Sequence, residues 1–102
     1  MPSRVDEALY VVTHVDVMPP HAAQGAELLR EFAIEVRRDA RSVRFEIVQE
    51  AGRPNHFTIL SVWQSRQAFE AHETDPRTIH FRDKLQPLLG SPFDERLHLL
   101  LE

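Results

Sequence analysis

Two hydrophobic periods alternate along this chain, and each change of period marks the start of a new element. From Ala8 to Val17 the sequence is rich in β-branched residues and free of Gly and Pro. Leu9, Val11, Val15 and Val17 share one parity while Tyr10 and Val12 hold the other, which predicts a strand covered on both faces. Met18-Pro19-Pro20 ends it. Between about Pro20 and Asp39 the apolar positions shift to a spacing of three or four: Ala22, Ala26, Leu29, Phe32 or Ala33, then Val36. Glu27, Arg30, Glu31, Arg37 and Arg38 fill the other side, so an amphipathic helix is expected, with a proline tolerated in its first turn.

Period two returns at Ser42–Glu50, where Val43, Phe45 and Ile47 alternate with Arg44 and Glu46, as in a half-exposed strand. Ala51-Gly52-Arg53-Pro54-Asn55 reads as a turn, and Phe57–Trp63 as a third strand closing a hairpin. Ser65 is placed to cap a helix over Arg66–Glu73. Asp75-Pro76, a capping side chain followed by proline at the first helical position, starts another that runs to about Leu85. Pro87, Gly90 and Pro92 close it, and Asp94–Glu102, with Leu97, Leu99 and Leu101 on one parity, is a fourth strand.

The order β-α-β-β-α-(α)-β defines an α+β, ferredoxin-like arrangement: a four-stranded antiparallel sheet with its helices on one face. It occupies residues 8–102 as one domain, with residues 1–7 a flexible tail. Helices on one face leave Tyr10, Val12 and part of the third strand uncovered on the other. An apolar sheet face of that size is a protein surface, and a second copy related by a two-fold axis would bury it. A homodimer is therefore expected.

Charge and composition narrow the chemistry. The 12 Lys and Arg are outnumbered by 16 Asp and Glu, for a formal charge of -4, and no dense basic run is present. Nucleic acid is excluded as a partner on that balance. Arg37, Arg38, Arg41 and Arg44 lie among Glu35 and Asp39 at helical spacing, as on a solvated face. With no cysteine, disulfides, thiolate nucleophiles and cysteine metal sites are excluded. No apolar run approaches the roughly 20 residues of a membrane span, so a cytoplasmic protein that does not enter a membrane is expected.

The stretch Phe57–Phe81 concentrates what chemistry remains. An apolar strand ends in Trp63, the only tryptophan, and leads at once into a helix bearing His72. Histidine suits proton transfer near neutrality, and aromatic rings suit a flat ligand. His72 reads either as a functional imidazole or as a helix-end residue bonded to the backbone. His14, which shares parity with Tyr10 and Val12, and His80 on the next helix are further candidates; Trp63, Phe57, Phe69 and Phe81 are candidate walls or plain core. HExxH spacing, a Gly-rich phosphate loop and GxSxG are all absent, so no metal site is expected.

Three segments, VVTHVDVMPPHAAQGAELLREF, VRFEIVQE and WQSRQAFEAH, give the chain a resemblance to the antibiotic biosynthesis monooxygenase domain, with Trp63, Ala68 and His72 at that family's spacing. Ala40 and Arg41 stand where many relatives have a Pro-Gly turn, and Ser61 where many have glutamate. The resemblance implies a dimeric α/β barrel that oxidises a hydroquinone or polycyclic aromatic with O2, without any cofactor. His72 and His14 would be catalytic; Trp63, Phe57, Ser61, Phe69, His80 and Phe81 would bind the substrate. Within the same fold it also leaves open haem binding and degradation with His80 as axial ligand, an isomerase, and a non-enzymatic binding or stress module.

Overall fold

The computed structural model describes residues 7–102; the tail expected over residues 1–7 lies, apart from Glu7, outside them. Strand β1 (Leu9–Asp16) runs through a 3-10 turn (Pro19–His21) into helix α1 (Ala22–Arg37). Pro19 and Pro20 sit in that turn, where a missing N–H costs nothing because the first donors of a helix have no partner within it. Strands β2 (Ser42–Gln49) and β3 (His56–Trp63) form the hairpin, helices α2 (Arg66–Glu73) and α3 (Pro76–Leu85) follow, and β4 (Asp94–His98) completes the sheet. Both short helices begin where their capping residues dictate. Ser65 Oγ accepts the Ala68 N–H at 3.1 Å, and Asp75 Oδ1 accepts that of Arg77 at 2.8 Å, each satisfying a backbone donor that the helix leaves free.

All pairings are antiparallel, in the order β2-β3-β1-β4. The fold is the expected ferredoxin-like one. Leu9, Val11, Thr13 and Val15 on β1 face the helices and are buried, as are Phe57, Ile59, Ser61 and Trp63 on β3. Leu29, Phe32, Ala33 and Val36 from α1, with Phe69, Phe81 and Leu85 from α2 and α3, close over them. Gly25 lets α1 lie against the sheet, since a Cβ there would meet Val17 Cγ1 at 3.0 Å. No helix among the described residues is long and apolar enough to cross a membrane.

Two expectations need correction. The fourth strand stops at His98, not Glu102, because His98 pairs with Tyr10 and β1 has only Leu9 beyond it. Leu100 and Leu101 are left exposed, at 63% and 97%. Val43, expected to share the inward parity of Phe45, is also exposed. The β2–β3 register slips between Ser42 and Arg44, so Val43 is the extra residue of a bulge and loses its place in the alternation. On the sheet face away from the helices, Tyr10, Val12, Leu60 and Val62 sit side by side on β1 and β3, the first three half-buried and Val62 9% exposed.

Candidate functional site

The end of β3, α2 and α3 enclose a chamber whose walls are mostly aromatic. Trp63 forms its end wall and is fully buried; its Nε1–H donates to Ser61 Oγ at 3.3 Å, and the Ser61 hydroxyl donates to the Val11 carbonyl at 3.4 Å. Ser61 thus satisfies an indole N–H that would otherwise be buried without a partner. The His72 ring stacks on Trp63, with centroids 4.3 Å apart and planes at 27°. Phe69 meets Trp63 edge-on at 6.1 Å, and Phe32 stacks flat on Phe81 at 3.9 Å. Little space is left. The enclosed volume is about 20 Å³, enough for one water molecule.

His72 is the chamber's imidazole, and its environment makes it a neutral one. Burial, then the neighbouring Arg82 charge, pull its pKa from 6.5 to about 4, against weaker opposing pulls from Glu95, Asp39 and Asp75. Its Nδ1 lies 3.3 Å from Thr78 Oγ1, a side-chain contact and not the backbone bond envisaged for a structural histidine. At neutral pH this ring can accept a hydrogen bond but is a weak proton acceptor, since a base works best with a pKa near the working pH.

Sequence reasoning missed the chamber's charged members. Arg82 Nη2 donates to Glu73 Oε2 at 2.7 Å and to both Glu95 oxygens at 3.1 and 3.2 Å, and the guanidinium lies 4.7 Å above the Phe93 ring. Thr13 Oγ1 donates to Glu95 Oε2 at 3.3 Å. Burial and the adjacent Glu95 push the Glu73 carboxyl up to about 7, against the pull of Arg82. These residues come from α2, α3 and β4, so no local spacing announces them. The one available signal was parity: Glu95 pairs with Thr13 and shares its inward face.

A second space adjoins the first. A groove of about 300 Å³ runs between the end of α1 and the start of α3, rimmed by Glu35, Arg38, Asp39, Arg41, Asp75 and Arg77. Phe32, His72 and Thr78 border both spaces and form the wall between them. Its arginines are already matched: Arg41 is bidentate on Asp39, Arg77 lies 3.4 Å from both Asp75 and Glu35, and Arg38 is 3.7 Å from Glu35.

Of the residues singled out from sequence, the structure brings together His72, Trp63, Ser61, Phe69 and Phe81. Phe57 shares their sheet face but lies six residues along β3, about 20 Å away at strand rise, where it packs beside Gly25. His14 is on the opposite face, exposed, with Nδ1 3.3 Å from Thr58 Oγ1. It cannot reach the chamber through the sheet. His80 is exposed on α3 beside an apolar groove that includes Leu28 and Lys84, and Asn55, the only asparagine, donates its amide to the Val17 carbonyl at 2.9 Å. Neither faces the chamber. Among the described residues no group of three or more His, Asp or Glu is placed to hold a metal ion.

An antiparallel four-stranded sheet with helices on one face and an aromatic chamber beneath them defines a ferredoxin-like α+β protein. The model of the antibiotic biosynthesis monooxygenase family matches residues 8–84, and the chain belongs to that family. The structure of Rv0793 from Mycobacterium tuberculosis superposes with a TM-score of 0.88 at 17% identity, covering 94% of this chain and 97% of that one. PA3566 from Pseudomonas aeruginosa gives a TM-score of 0.87 at 18% identity, covering 98% and 100%. An uncharacterised protein from Synechocystis, sll1783, is 22% identical over 97 residues. That match takes in 95% of this chain and 66% of the relative's own length.

Proposed function

We propose that the protein is a cofactor-independent monooxygenase acting on a hydroquinone or polycyclic aromatic substrate. The balance of such a reaction needs nothing beyond substrate and dioxygen. One oxygen atom enters the ring carbon, and the other leaves as water with two hydrogens that the substrate supplies. The protein's part is to bind a flat molecule, help remove a proton and keep water away from the reactive anion. The buried chamber carries this reading, because aromatic walls surround a small set of convergent polar groups there.

As it stands the chamber admits one water, so substrate must enter by displacing a wall. The wall of Phe32, His72 and Thr78 is the natural one, since a groove within the size range of small-molecule sites lies directly outside it. Turning the Phe32 ring off Phe81 would join the two spaces. His72 then serves as a neutral hydrogen-bond acceptor for a substrate hydroxyl and as a stacking partner. An oxygen electrode, with metal-stripped protein and a panel of benzohydroquinone, naphthohydroquinones and anthrone, tests this directly. Oxygen uptake above the autoxidation rate is expected; none with any compound abandons the oxygenase reading for that of a binding module, which the closed chamber favours.

A homodimer belongs to the same proposal. Tyr10, Val12, Leu60 and Val62 form an apolar patch on the sheet face opposite the helices, and a second copy facing it would complete the barrel.

A further inference from the structure

We propose that the Glu73–Glu95 pair, held on Arg82, is the proton acceptor of the chamber, and that Arg82 is the cation that receives the resulting phenolate. This rests on the chamber being the substrate site. Glu95 supplies the only carboxylate on the inner wall among the described residues, and Arg82 the only guanidinium. Glu73 stands behind them on the same arginine nitrogen.

The stoichiometry is what calls for a role. One carboxylate suffices to neutralise one arginine, yet two converge on Arg82 where the side chains of Glu73 and Glu95 are only 22% and 19% exposed. With both ionised, the cluster carries one negative charge too many in a shielded place, and two such carboxylates do not ionise independently. The groups facing the pair are Arg82 from α3, Thr13 from β1, and His72, which feels the Glu95 charge. None supplies a second positive charge at neutral pH. The pair therefore exchanges a proton close to neutrality, consistent with Glu73 titrating near 7, while His72 does so well below it.

The step balances simply. The substrate O–H bond breaks, a carboxyl O–H forms on the pair, and the electron pair stays on the substrate oxygen. As the pair takes up the proton its hold on Arg82 weakens, and the guanidinium turns its spare donors to the phenolate. The anion is then ready to react with O2.

Anaerobic titration with 1-naphthol, whose ionisation changes its absorbance, separates this from the oxygenase reading. Bound to wild-type protein, the probe is expected to ionise at least about one pH unit below free 1-naphthol, the least shift that a cation beside an acid produces. Arg82→Gln, which removes the cation, should abolish the shift. Glu73→Gln, which leaves one carboxylate per arginine, should keep it and move its pH dependence to lower pH; this second variant decides the matter if the first does not fold. An equal shift in wild type and Arg82→Gln, or a pH dependence unmoved in Glu73→Gln, overturns the proposal and leaves the substrate site standing. No saturable binding of 1-naphthol overturns both. A shift that behaves as expected with no oxygen uptake from any quinol upholds the acceptor and removes the oxygenase alone.

Discussion

The two faces of one sheet treat the same residue type in opposite ways. On the helix-covered face His72 is stacked on Trp63, 8% exposed, and kept neutral by burial. Across the sheet His14 is exposed beside Thr58, with apolar Val12 before it on the same parity. The covered face buries polar groups, and each is matched: Trp63 to Ser61, His72 to Thr78, Glu95 to Arg82 and Thr13. On the open face the centre is apolar and the charges lie around it. A face that buries matched polar groups suits chemistry, whereas one that presents apolar side chains within a charged rim suits another copy of the chain.

Removing Trp63 should break the covered face most severely. Trp63→Ala deletes a fully buried ring and strands His72 and Phe69 against a void, a change that costs about 3–5 kcal/mol. Urea denaturation should show a midpoint lowered accordingly, with oxygen uptake lost at the same time. A loss under about 1 kcal/mol would mean that the chamber collapses without cost, and the covered face would then be no more specific than the open one.

The matching change on the open face should leave the protomer folded. Val12→Asp puts a carboxylate at the centre of the apolar patch, where two copies would bring two such charges together. Dimer association should weaken at least about 100-fold, roughly 3 kcal/mol at 1.4 per tenfold, as read by sedimentation velocity across a concentration series. Unchanged sedimentation would assign the bare face to something other than self-association.

The titrating groups of the covered face should leave a signature in stability. The folded pKa of His72, about 4, lies below its ordinary 6.5. Between those values the unfolded chain binds a proton that the native one refuses, so stability falls as pH falls, by up to about 3 kcal/mol at 1.36 per unit. Glu73 runs the other way: raised from 4.5 to about 7, its native form keeps the proton longer, so its contribution falls as pH rises through that window. Their slopes oppose each other between pH 4.5 and 6.5. Glu73→Gln should therefore make stability climb with pH there, and His72→Gln should make it decline. Urea midpoints at five pH values would show this; parallel slopes in both variants would refute the opposition.

Most of the covered face was legible from sequence because it is built from local signals. The Ser65 and Asp75 caps fix where α2 and α3 start, and those fix where His72 and Phe81 point. Alternation put Trp63 and Ser61 on one parity. Alternation also grouped His14 with Tyr10 and Val12, the parity that the helices leave uncovered, so its candidacy ran against the pattern of its own strand. Phe57 was assigned by face without regard to distance along the strand. Glu73, Arg82 and Glu95 meet only because α2, α3 and β4 converge in space, and each looks like a surface charge when read in place.

His14 supplies the smallest and most discriminating effect. It is exposed, its side chain meets the Thr58 hydroxyl on a neighbouring strand, and the sheet separates it from the chamber. His14→Ala should change stability by no more than about 0.5 kcal/mol, as for surface positions without a buried partner, and leave kcat/KM with any accepted quinol within twofold. Parallel His72→Ala, which empties space against Trp63, should lower both. Because the two substitutions remove the same atoms, their difference measures the environment alone. A large loss of kcat/KM at His14 with an unchanged sedimentation coefficient would place chemistry on the open face and reverse the assignment of the two sides.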